Sequence, residues 1–248
     1  MIKDFKNKKV TVVGLARSGV AASLFLKDLG AKVYVTDKSN DSKIQAEAKE
    51  LKDLGMTVET GSHTQDFIKN KDSVVLSPGI KSDALPVIWA EKFKIPIISE
   101  IELGSIFCKG KIIAITGTNG KTTVTTLIGK IIEASGKKAF ILGNIGTAFC
   151  QFAKDVKQDE FVSLEVSSFQ LERIINFKPF ISVVLNLTSD HLDRYKNMQE
   201  YLEAKKNIFK NQDKSCWTIL NYQDDAIKNL ACQTQANVKF FNDQKDIE

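Results

Sequence analysis

The sequence predicts an α/β protein made of two parallel-sheet domains. Short runs of β-branched and aliphatic residues alternate with segments of helical periodicity along the 248 residues, a pattern typical of parallel sheets covered by helices. Two predicted strands, Lys9 to Val13 and Ile112 to Ile115, end in glycine-rich turns that lead directly into helical segments. Each turn opens a strand, loop and helix unit of the kind that binds phosphate groups. We therefore place a first domain at residues 1–100 and a second at residues 101–248.

The first domain opens with a glycine loop and an acidic strand end. The first strand leads to the loop Gly14-Leu15-Ala16-Arg17-Ser18-Gly19, and a second strand delivers Asp37. This is the pattern of a Rossmann-like unit, in which a helix N-terminus faces a diphosphate and the acid accepts a hydrogen bond from a ribose hydroxyl. Ala16 replaces the middle glycine of the dinucleotide pattern, which weakens an assignment to NAD-dependent dehydrogenases. A turn that only packs the helix on the strand is the alternative.

The alternation continues to the end of the first domain. The predicted elements are a helix at 43–54, a strand at 56–60, a strand at 72–76, a helix at 84–93 and a strand at 95–98. The fourth strand ends in Ser77-Pro78-Gly79-Ile80, a stiff turn at the sheet edge where ligands of parallel sheets bind. From these residues alone, a ligand contact and a plain connecting turn are equally good interpretations.

The second domain begins with a phosphate-binding loop. The glycines of this loop let backbone N–H groups face an anion, Lys121 supplies a mobile cation, and the Thr122 hydroxyl can ligate Mg²⁺. ATP is therefore the predicted ligand. The general pattern has a glycine where this chain has Ile115, so the loop is a variant; a glycine turn with a surface lysine is the alternative. The loop consists of Gly117, Thr118, Asn119, Gly120, Lys121, Thr122 and Thr123. The buried face of the following helix is predicted to contain Val124, Leu127, Ile128, Ile131 and Ile132.

Polar residues follow three later strands of the second domain. Asn144 follows the strand at 138–142, and Glu165 follows the strand at 161–164. Because the carboxyl ends of parallel strands meet at one edge, we expect these residues beside the phosphate loop. A carboxylate such as that of Glu165 suits a divalent cation. A helix N-cap or a surface charge is the alternative for Glu165.

Two histidines and two lysines are interpreted differently. His191 follows the strand at 181–185 within Asp-His-Leu-Asp-Arg-Tyr and is interpreted as a metal or substrate ligand. His63 has no motif around it and is interpreted as structural. Composition alone predicts that the side chains of Lys205 and Lys206 are solvated.

Composition and charge exclude several classes of protein. The net charge of +5 depends on lysines interleaved with acids, and the only arginines are Arg17, Arg173 and Arg194, so we expect no nucleic-acid partner. The four cysteines lie far apart, which argues against a disulfide framework or a zinc site. No apolar run is long enough to cross a bilayer. We expect a cytoplasmic monomer without a membrane partner.

Taken in order, the motifs resemble those of the Mur ligase superfamily. Within it, the chain resembles the family of UDP-N-acetylmuramoyl-L-alanine:D-glutamate ligases in the loop at 14–19, Asp37 and the turn at 77–80. L-alanine-adding ligases typically have histidine where this chain has Asn119, and the tripeptide-forming ligases have a differently built first domain. The resemblance runs from Lys9 to about Asp225. Its motifs are G-x-A-x-S-G, S-P-G-I, G-T-N-G-K-T-T, G-N-I-G, E-V-S-S-F-Q-L-E, D-H-L-D-R-Y and Y-x-x-A-K.

The resemblance implies ATP-dependent ligation of D-glutamate to UDP-N-acetylmuramoyl-L-alanine through an acyl phosphate. It implies two Mg²⁺ sites and a carbamylated lysine, derived from CO₂, at Lys205. The implied catalytic residues are Lys121, Glu165, His191 and Lys205, and the implied metal ligands are Thr122, Glu165, His191 and Lys205. The implied substrate-binding residues are Leu15, Ala16, Asp37, Lys38, Ser77, Pro78, Gly79, Asn144, Ser167, Gln170 and His191.

The family continues beyond the length of this chain. We therefore expect a fragment with a truncated P-loop ATPase-type domain, without the domain that binds D-glutamate, and without ligase activity of its own. The alternative from another class is a module that binds a UDP-sugar or nucleotide and catalyses nothing. A nicotinamide-dependent oxidoreductase leaves the second phosphate loop unexplained. Folylpolyglutamate synthesis would place the phosphate loop nearer the start of the chain.

Overall fold

The computed structural model describes residues 4–190 and 194–242 and confirms an α/β fold with two parallel sheets. The chain divides into two compact units. One contains Met1–Ile106 and Ala148–Phe152, and the other contains Phe107–Thr147 and Ala153–Glu248. The sequence has no signal for the return of residues 148–152 to the first unit. The division at residue 100 stays a prediction.

The first unit contains five strands among the described residues. They are β1 (Lys9–Val13), β2 (Lys32–Asp37), β3 (Thr57–Thr60), β4 (Ser73–Leu76) and β5 (Ile97–Ser99), and the helices between and after them are α1 (Arg17–Asp28), α2 (Ser42–Asp53), α3 (Leu85–Lys92) and α4 (Glu100–Phe107). The sheet order is β3-β2-β1-β4-β5. Val13 pairs in register with Thr36 on one side and with Leu76 on the other. The loops after β1, β2 and β4 therefore leave the sheet at one edge.

The second unit contains six strands among the described residues. They are β6 (Lys111–Thr116), β7 (Ala139–Gly143), β8 (Phe161–Glu165), β9 (Ile181–Val184), β10 (Trp217–Asn221) and β11 (Asn237–Phe241), with helices α5 (Lys121–Ala134), α6 (Ser168–Leu171), α7 (Met198–Lys206) and α8 (Asp225–Lys228). The sheet order is β11-β10-β9-β6-β8-β7, and every pairing is parallel. The inner position of β6 brings the loop that follows it between the ends of β8 and β9.

Helix α5 packs on the sheet through only part of the predicted apolar face. Val124, Ile128 and Ile132 pack on the core as expected, but Leu127 is 55% exposed and Ile131 is 59% exposed. Thr125 and Gly129 are buried instead. A Cβ atom on Gly129 would lie 2.4 Å from the Ile141 Cγ1 atom. The absence of a side chain at Gly129 therefore lets α5 approach β7. The buried face of the helix then includes Thr125 and Gly129 and leaves out Leu127 and Ile131.

No helix within the described ranges combines the length and the apolar character needed to cross a lipid bilayer.

Candidate functional site

The phosphate loop links the inner strand β6 to the start of α5. Gly117 has a φ of +154° and Gly120 has a φ of +79°, conformations that favour glycine. A Cβ atom on Gly117 would also lie 2.9 Å from the Leu185 Cβ atom. Both glycines are therefore required by the path of the loop.

Asn186, just after β9, holds the loop in place. Its Oδ1 atom accepts hydrogen bonds from the backbone N–H groups of Thr118 (3.1 Å) and Asn119 (2.8 Å), and its Nδ2 atom donates to the Asn119 carbonyl (3.0 Å). Asn186 was not among the site residues predicted from the sequence, although its position after a buried strand next to β6 is a usable signal. The Thr118 N–H also donates to the Asn186 backbone carbonyl (3.1 Å), so an anion that binds these two N–H groups has to replace both the side chain and the carbonyl of Asn186.

Lys121, the first residue of α5, lies against the loop. Its Nζ atom donates a hydrogen bond to the Thr118 carbonyl over 2.7 Å. The ammonium group therefore adds its charge to the positive end of the α5 dipole. The sequence predicts that the terminal phosphates of ATP bind beside this ammonium group.

Glu165 connects two neighbouring strand ends. The Thr122 hydroxyl donates to its Oε2 atom over 2.7 Å, and the Asn144 Nδ2 atom donates to its Oε1 atom over 3.0 Å. Glu165 is 3% exposed and pairs in register with Ile115 of β6 and Gly143 of β7. The register of the parallel sheet thus brings Thr122, Glu165 and Asn144 together.

The oxygens of Thr122 and Glu165 fit the donor set of Mg²⁺. This ion prefers oxygen ligands, takes one or two carboxylates from a protein, and keeps water and substrate phosphates in its other positions. Within residues 4–190 and 194–242, no group of three or more His, Cys, Asp and Glu is arranged to hold a metal ion. Water and nucleotide phosphates would therefore have to complete a Mg²⁺ site here.

Lys205 is buried, so the composition-based expectation of a solvated side chain is wrong for it. It is 1% exposed, and its Nζ atom donates to the Gly117 carbonyl over 2.8 Å and lies 4.2 Å from the centre of the Tyr201 ring. Burial and the nearby Lys121 ammonium lower the pKa of Lys205 to about 7, against the opposing effect of Asp190. Helix α7 turns this residue towards its aromatic face, where Tyr201 is also buried.

The next residue, Lys206, has a different environment. Successive residues are about 100° apart around a helix, and Lys206 forms an ion pair with Glu203 on the same helix. Lys205 therefore lies buried against the phosphate loop and Lys206 does not; the choice of Lys205 as the site residue, made from the resemblance, stays a prediction.

Ser167 and Gln170 form a capping box at α6. The Ser167 N–H donates to the Gln170 Oε1 atom over 3.0 Å, and the Gln170 N–H donates to the Ser167 Oγ atom over 3.4 Å. Gln170 is 1% exposed, and its Nε2 atom has no hydrogen-bond partner among the described residues. A buried donor without a partner costs about 1–3 kcal/mol, so this amide is suited to donate to a ligand oxygen.

His191 lies outside the described residues, but the chain that follows it is anchored on Glu172. The Arg194 Nη2 atom donates to the Glu172 Oε2 atom over 2.9 Å, and the Tyr195 hydroxyl donates to Oε1 over 2.7 Å. The Arg194 guanidinium also lies 4.1 Å from the centre of the Phe169 ring. Glu172 was quoted only as the end of a motif and was not predicted to have a role.

The glycine loop of the first unit requires its two outer glycines. Gly14 has a φ of +94°, and a Cβ atom on Gly19 would lie 1.8 Å from the Gly14 carbonyl oxygen. The buried Ser77 hydroxyl donates to that same carbonyl over 3.0 Å. A hydrogen bond thus joins the loops after β1 and β4, both of which are predicted to bind substrate. Of the rest of the second loop, Pro78 is partly exposed and Gly79 is exposed.

Asp37 orders the opposite side of the glycine loop. Its Oδ2 atom accepts a hydrogen bond from the Leu15 N–H (2.5 Å), and its Oδ1 atom accepts one from the Ser39 N–H (2.8 Å). A carboxylate has further lone pairs, so acceptance of a ribose hydroxyl stays a prediction. The Leu15 side chain is fully buried, so a ligand can contact Leu15 only through its backbone. Lys38 is exposed, and Ala16 precedes α1 without a side-chain cap.

Two family models cover most of the chain. Residues 8–99 match the Mur ligase MurD-like N-terminal domain, and residues 115–247 match the Mur ligase middle domain. The chain is 42% identical over 245 residues to a protein of Koribacter versatilis and 44% identical over 235 residues to one of Geotalea uraniireducens, both named UDP-N-acetylmuramoylalanine--D-glutamate ligase. These alignments cover 99% and 95% of this chain but 54% and 52% of the relatives. The chain therefore spans about half the length of the curated relatives it matches.

Solved structures show the same fold at lower sequence identity. A UDP-N-acetylmuramate:L-alanyl-gamma-D-glutamyl-meso-diaminopimelate ligase from Neisseria meningitides matches with a TM-score of 0.64 and 16% identity, over 95% of this chain and 78% of that one. The UDP-N-acetylmuramate-alanine ligase MurC from Thermotoga maritima matches with a TM-score of 0.55 and 22% identity, over 90% of this chain and 51% of that one. The chain belongs to the Mur ligase family and contains a MurD-like N-terminal domain followed by the Mur ligase middle domain.

Proposed function

We propose that this chain is part of an enzyme that joins D-glutamate to UDP-N-acetylmuramoyl-L-alanine and cleaves ATP to ADP and phosphate. The observation that carries the proposal is the contact between Thr122 and Glu165 beside Lys121, which places oxygen donors for a cation next to an ammonium group on a phosphate loop. The names of the relatives at 42–44% identity support the choice of substrates.

The reaction needs activation because a carboxylate is a poor electrophile. Its charge repels nucleophiles, and oxide does not leave. Transfer of the γ-phosphoryl group of ATP to a carboxylate oxygen forms an acyl phosphate and releases ADP. The D-glutamate nitrogen then bonds to the acyl carbon, the C–O bond to phosphate breaks, and the nitrogen loses a proton to give the amide. The main tasks of the site are to align the anions and to offset their repulsion.

The residues of the second unit divide these tasks. Lys121 and the loop Gly117–Thr123 would bind the β- and γ-phosphates once Asn186 has released the Thr118 and Asn119 N–H groups, and Thr122 with Glu165 would hold a Mg²⁺ ion. When bound, the ion offsets phosphate charge. The Gln170 Nε2 atom donates to the muramoyl-alanine part, and Asn144 and Ser167 contact the same substrate. The unpartnered state of the Gln170 amide nitrogen supports this role.

Lys205 is proposed to act as a carbamate. Its neutral amine attacks CO₂, an N–C bond forms, and the nitrogen loses a proton to give a carboxylate-like group. A pKa of about 7 supports this step, because a large fraction of the amine is then neutral near pH 7. His191 and the carbamate are the groups that would hold a second Mg²⁺ ion, which would offset the charge of the acceptor carboxylate.

The first unit is proposed to bind the uridine diphosphate part of the substrate. The diphosphate lies against the glycine loop, and the residues involved are Leu15, Ala16, Asp37, Lys38, Ser77, Pro78 and Gly79. The bond between the Ser77 hydroxyl and Gly14 supports a preformed site, because it joins the two loops before any ligand arrives. We further propose that the protein acts in the cytoplasm as a monomer.

The test is ligation by a full-length protein that contains this chain, with ADP release and amide formation measured together. Lys121→Ala should lower both rates by at least about 100-fold, since a phosphate-binding cation is lost. Lys130→Ala, on the exposed side of the same helix, should leave both rates within about twofold. Retained ligation in Lys121→Ala would remove the loop from the mechanism. Binding of UDP-N-acetylmuramoyl-L-alanine without any ADP release in the unmutated protein would instead favour a non-catalytic binding module.

A further inference from the structure

A polar cluster occupies the carboxyl ends of β2 and β3 in the first unit. The Thr36 Oγ1 atom lies 2.7 Å from the Glu59 Oε1 atom and 2.7 Å from the His63 Nδ1 atom. Thr64 donates to the same carboxylate through its N–H (3.0 Å to Oε1) and its hydroxyl (2.7 Å to Oε2). The imidazole of His63 is therefore bonded to a network, which the sequence did not indicate.

The network determines which nitrogen of His63 carries the proton. Thr36 is fully buried and its hydroxyl has one proton. The ionised carboxylate of Glu59 can only accept a hydrogen bond, so the Thr36 proton points to Glu59. The Thr36 oxygen must then accept its second hydrogen bond from the His63 Nδ1–H. In the neutral ring, the Nε2 atom is left as an acceptor.

The His63 ring is kept neutral near pH 7 by its surroundings. Burial lowers the pKa of His63, and Lys38 acts in the same direction, against the opposing charges of Asp37 and Glu59. The Nε2 atom has no hydrogen-bond partner among the described residues. His63 is partly exposed, so the side chain that carries this acceptor is not fully buried in the core.

The cluster lies next to the glycine loop. Thr36 pairs in register with Val13, the residue before Gly14, so the two are separated by one strand spacing of about 4.8 Å. The residue after Thr36 is Asp37, which accepts the Leu15 N–H of the loop. Ligands of parallel sheets bind at this carboxyl edge, with the nucleoside beside the end of the second strand.

We propose that His63 recognises the uridine part of the nucleotide sugar, with its Nε2 atom accepting a hydrogen bond from either the uracil N3–H or a ribose hydroxyl. The inference rests on the proposed function, since it takes a uridine nucleotide as the ligand of the first unit. A purely structural histidine would fill the same space, but removal of its Nε2 acceptor would not change which uridine analogues bind.

The experiment is calorimetric titration of this chain and of two His63 variants. His63→Asn keeps a nitrogen donor near the Nδ1 position and removes the Nε2 acceptor. His63→Gln places an amide near the Nε2 position and removes the donor to Thr36. The probes are UDP-N-acetylmuramoyl-L-alanine, UDP, N3-methyl-UDP and 2′- and 3′-deoxy-UDP. Urea unfolding of each variant establishes that it folds, and Gln65→Asn, an exposed neighbour, is the matched control.

We expect the unmutated chain to bind UDP and to lose about five- to tenfold in affinity for the analogue that lacks the recognised donor. His63→Asn should bind UDP with about the affinity that the unmutated chain has for that analogue, and should bind UDP and the analogue alike. His63→Gln should retain part of the discrimination. Loss against N3-methyl-UDP assigns the uracil imide, and loss against a deoxy analogue assigns that hydroxyl.

Two results would overturn the inference and leave the proposed function standing. One is a folded His63→Asn protein that binds UDP as tightly as the unmutated chain. The other is weaker binding by His63→Asn with the discrimination among analogues unchanged, which indicates a structural role. Failure of the unmutated chain to bind any uridine nucleotide contradicts the proposed function itself.

Discussion

Replacement of Glu100 by glutamine should change the pH dependence of the stability of the first unit. Glu100 begins α4 and is 1% exposed. Its Oε1 atom accepts a hydrogen bond from the Cys150 N–H over 2.6 Å, and its Oε2 atom has no hydrogen-bond partner among the described residues. An ionised carboxylate at this position therefore has one strong hydrogen bond and an unsolvated oxygen, which disfavours the charged form.

The magnitude follows from the shifted pKa. Burial raises the pKa of Glu100 from 4.5 to about 7, although the Cys150 N–H and Arg17 act in the opposite direction. A folded-state pKa above the unfolded one means that the contribution is complete below pH 4.5 and is lost as the pH rises through about 7. A shift of about 2.5 pH units corresponds to about 3 kcal/mol of unfolding free energy.

Glutamine is a close match for the protonated form of Glu100, because both place a hydrogen-bond donor at the position of Oε2. Glu100→Gln should therefore equal the unmutated protein in stability at about pH 4 and exceed it by about 1–3 kcal/mol at about pH 8. The assay is urea unfolding at several pH values. Trp89 packs against the core of the first unit, so its fluorescence in a Trp217→Phe background reports that unit alone.

Glu50→Gln, at an exposed position of α2, is the control for the removal of one acidic group. Parallel stability curves for Glu100→Gln and the unmutated protein between about pH 5 and pH 8 would refute the reasoning, because they would show that Glu100 has the same pKa in the folded and unfolded states.

Two further predictions concern the second unit. Lys205→Ala in the full-length protein should lower ligation by at least about 100-fold, whereas Lys206→Ala should change it by about twofold or less; equal effects on the reaction rates would contradict the assignment of Lys205. Glu172→Ala should lower the unfolding free energy by about 1–3 kcal/mol, because the mostly buried Arg194 guanidinium and the Tyr195 hydroxyl lose their shared acceptor. Urea unfolding of this chain measures the loss, and a change within about 0.5 kcal/mol would show that water replaces the carboxylate.

Much of the phosphate loop was predictable because its determinants are local. The apolar run of β6, the glycines at 117 and 120 and the helical periodicity after Lys121 lie within one continuous segment. Their dihedral preferences act between near neighbours, so the order of strand, loop and helix is visible without the rest of the chain. The parallel arrangement of the sheets also followed from the sequence, because alternating strands and helices connect most readily as right-handed crossovers.

Contacts between distant segments were not predictable in the same way. The buried face of α5 depends on how closely Gly129 approaches Ile141 of β7. The spacing of apolar residues along the helix gives no information about that contact. The assignment of Lys205 came from resemblance alone, because a lysine beside another lysine gives no sign of which one faces Gly117, 88 positions away.

The sequence alone predicted most of the strands, the two glycine-rich loops and the types of residue that reach the carboxyl edges of the two sheets, but not α4, α6 or β10. The folded structure was needed to show that Asn186 accepts hydrogen bonds from the loop N–H groups, that Thr122 and Asn144 share Glu165, and that Thr36 orients the ring of His63. These two kinds of information differ because the underlying interactions differ in range. Backbone preferences act over a few residues, whereas burial, hydrogen-bond pairing and the pKa of a side chain depend on whichever segments the packed sheet brings alongside it.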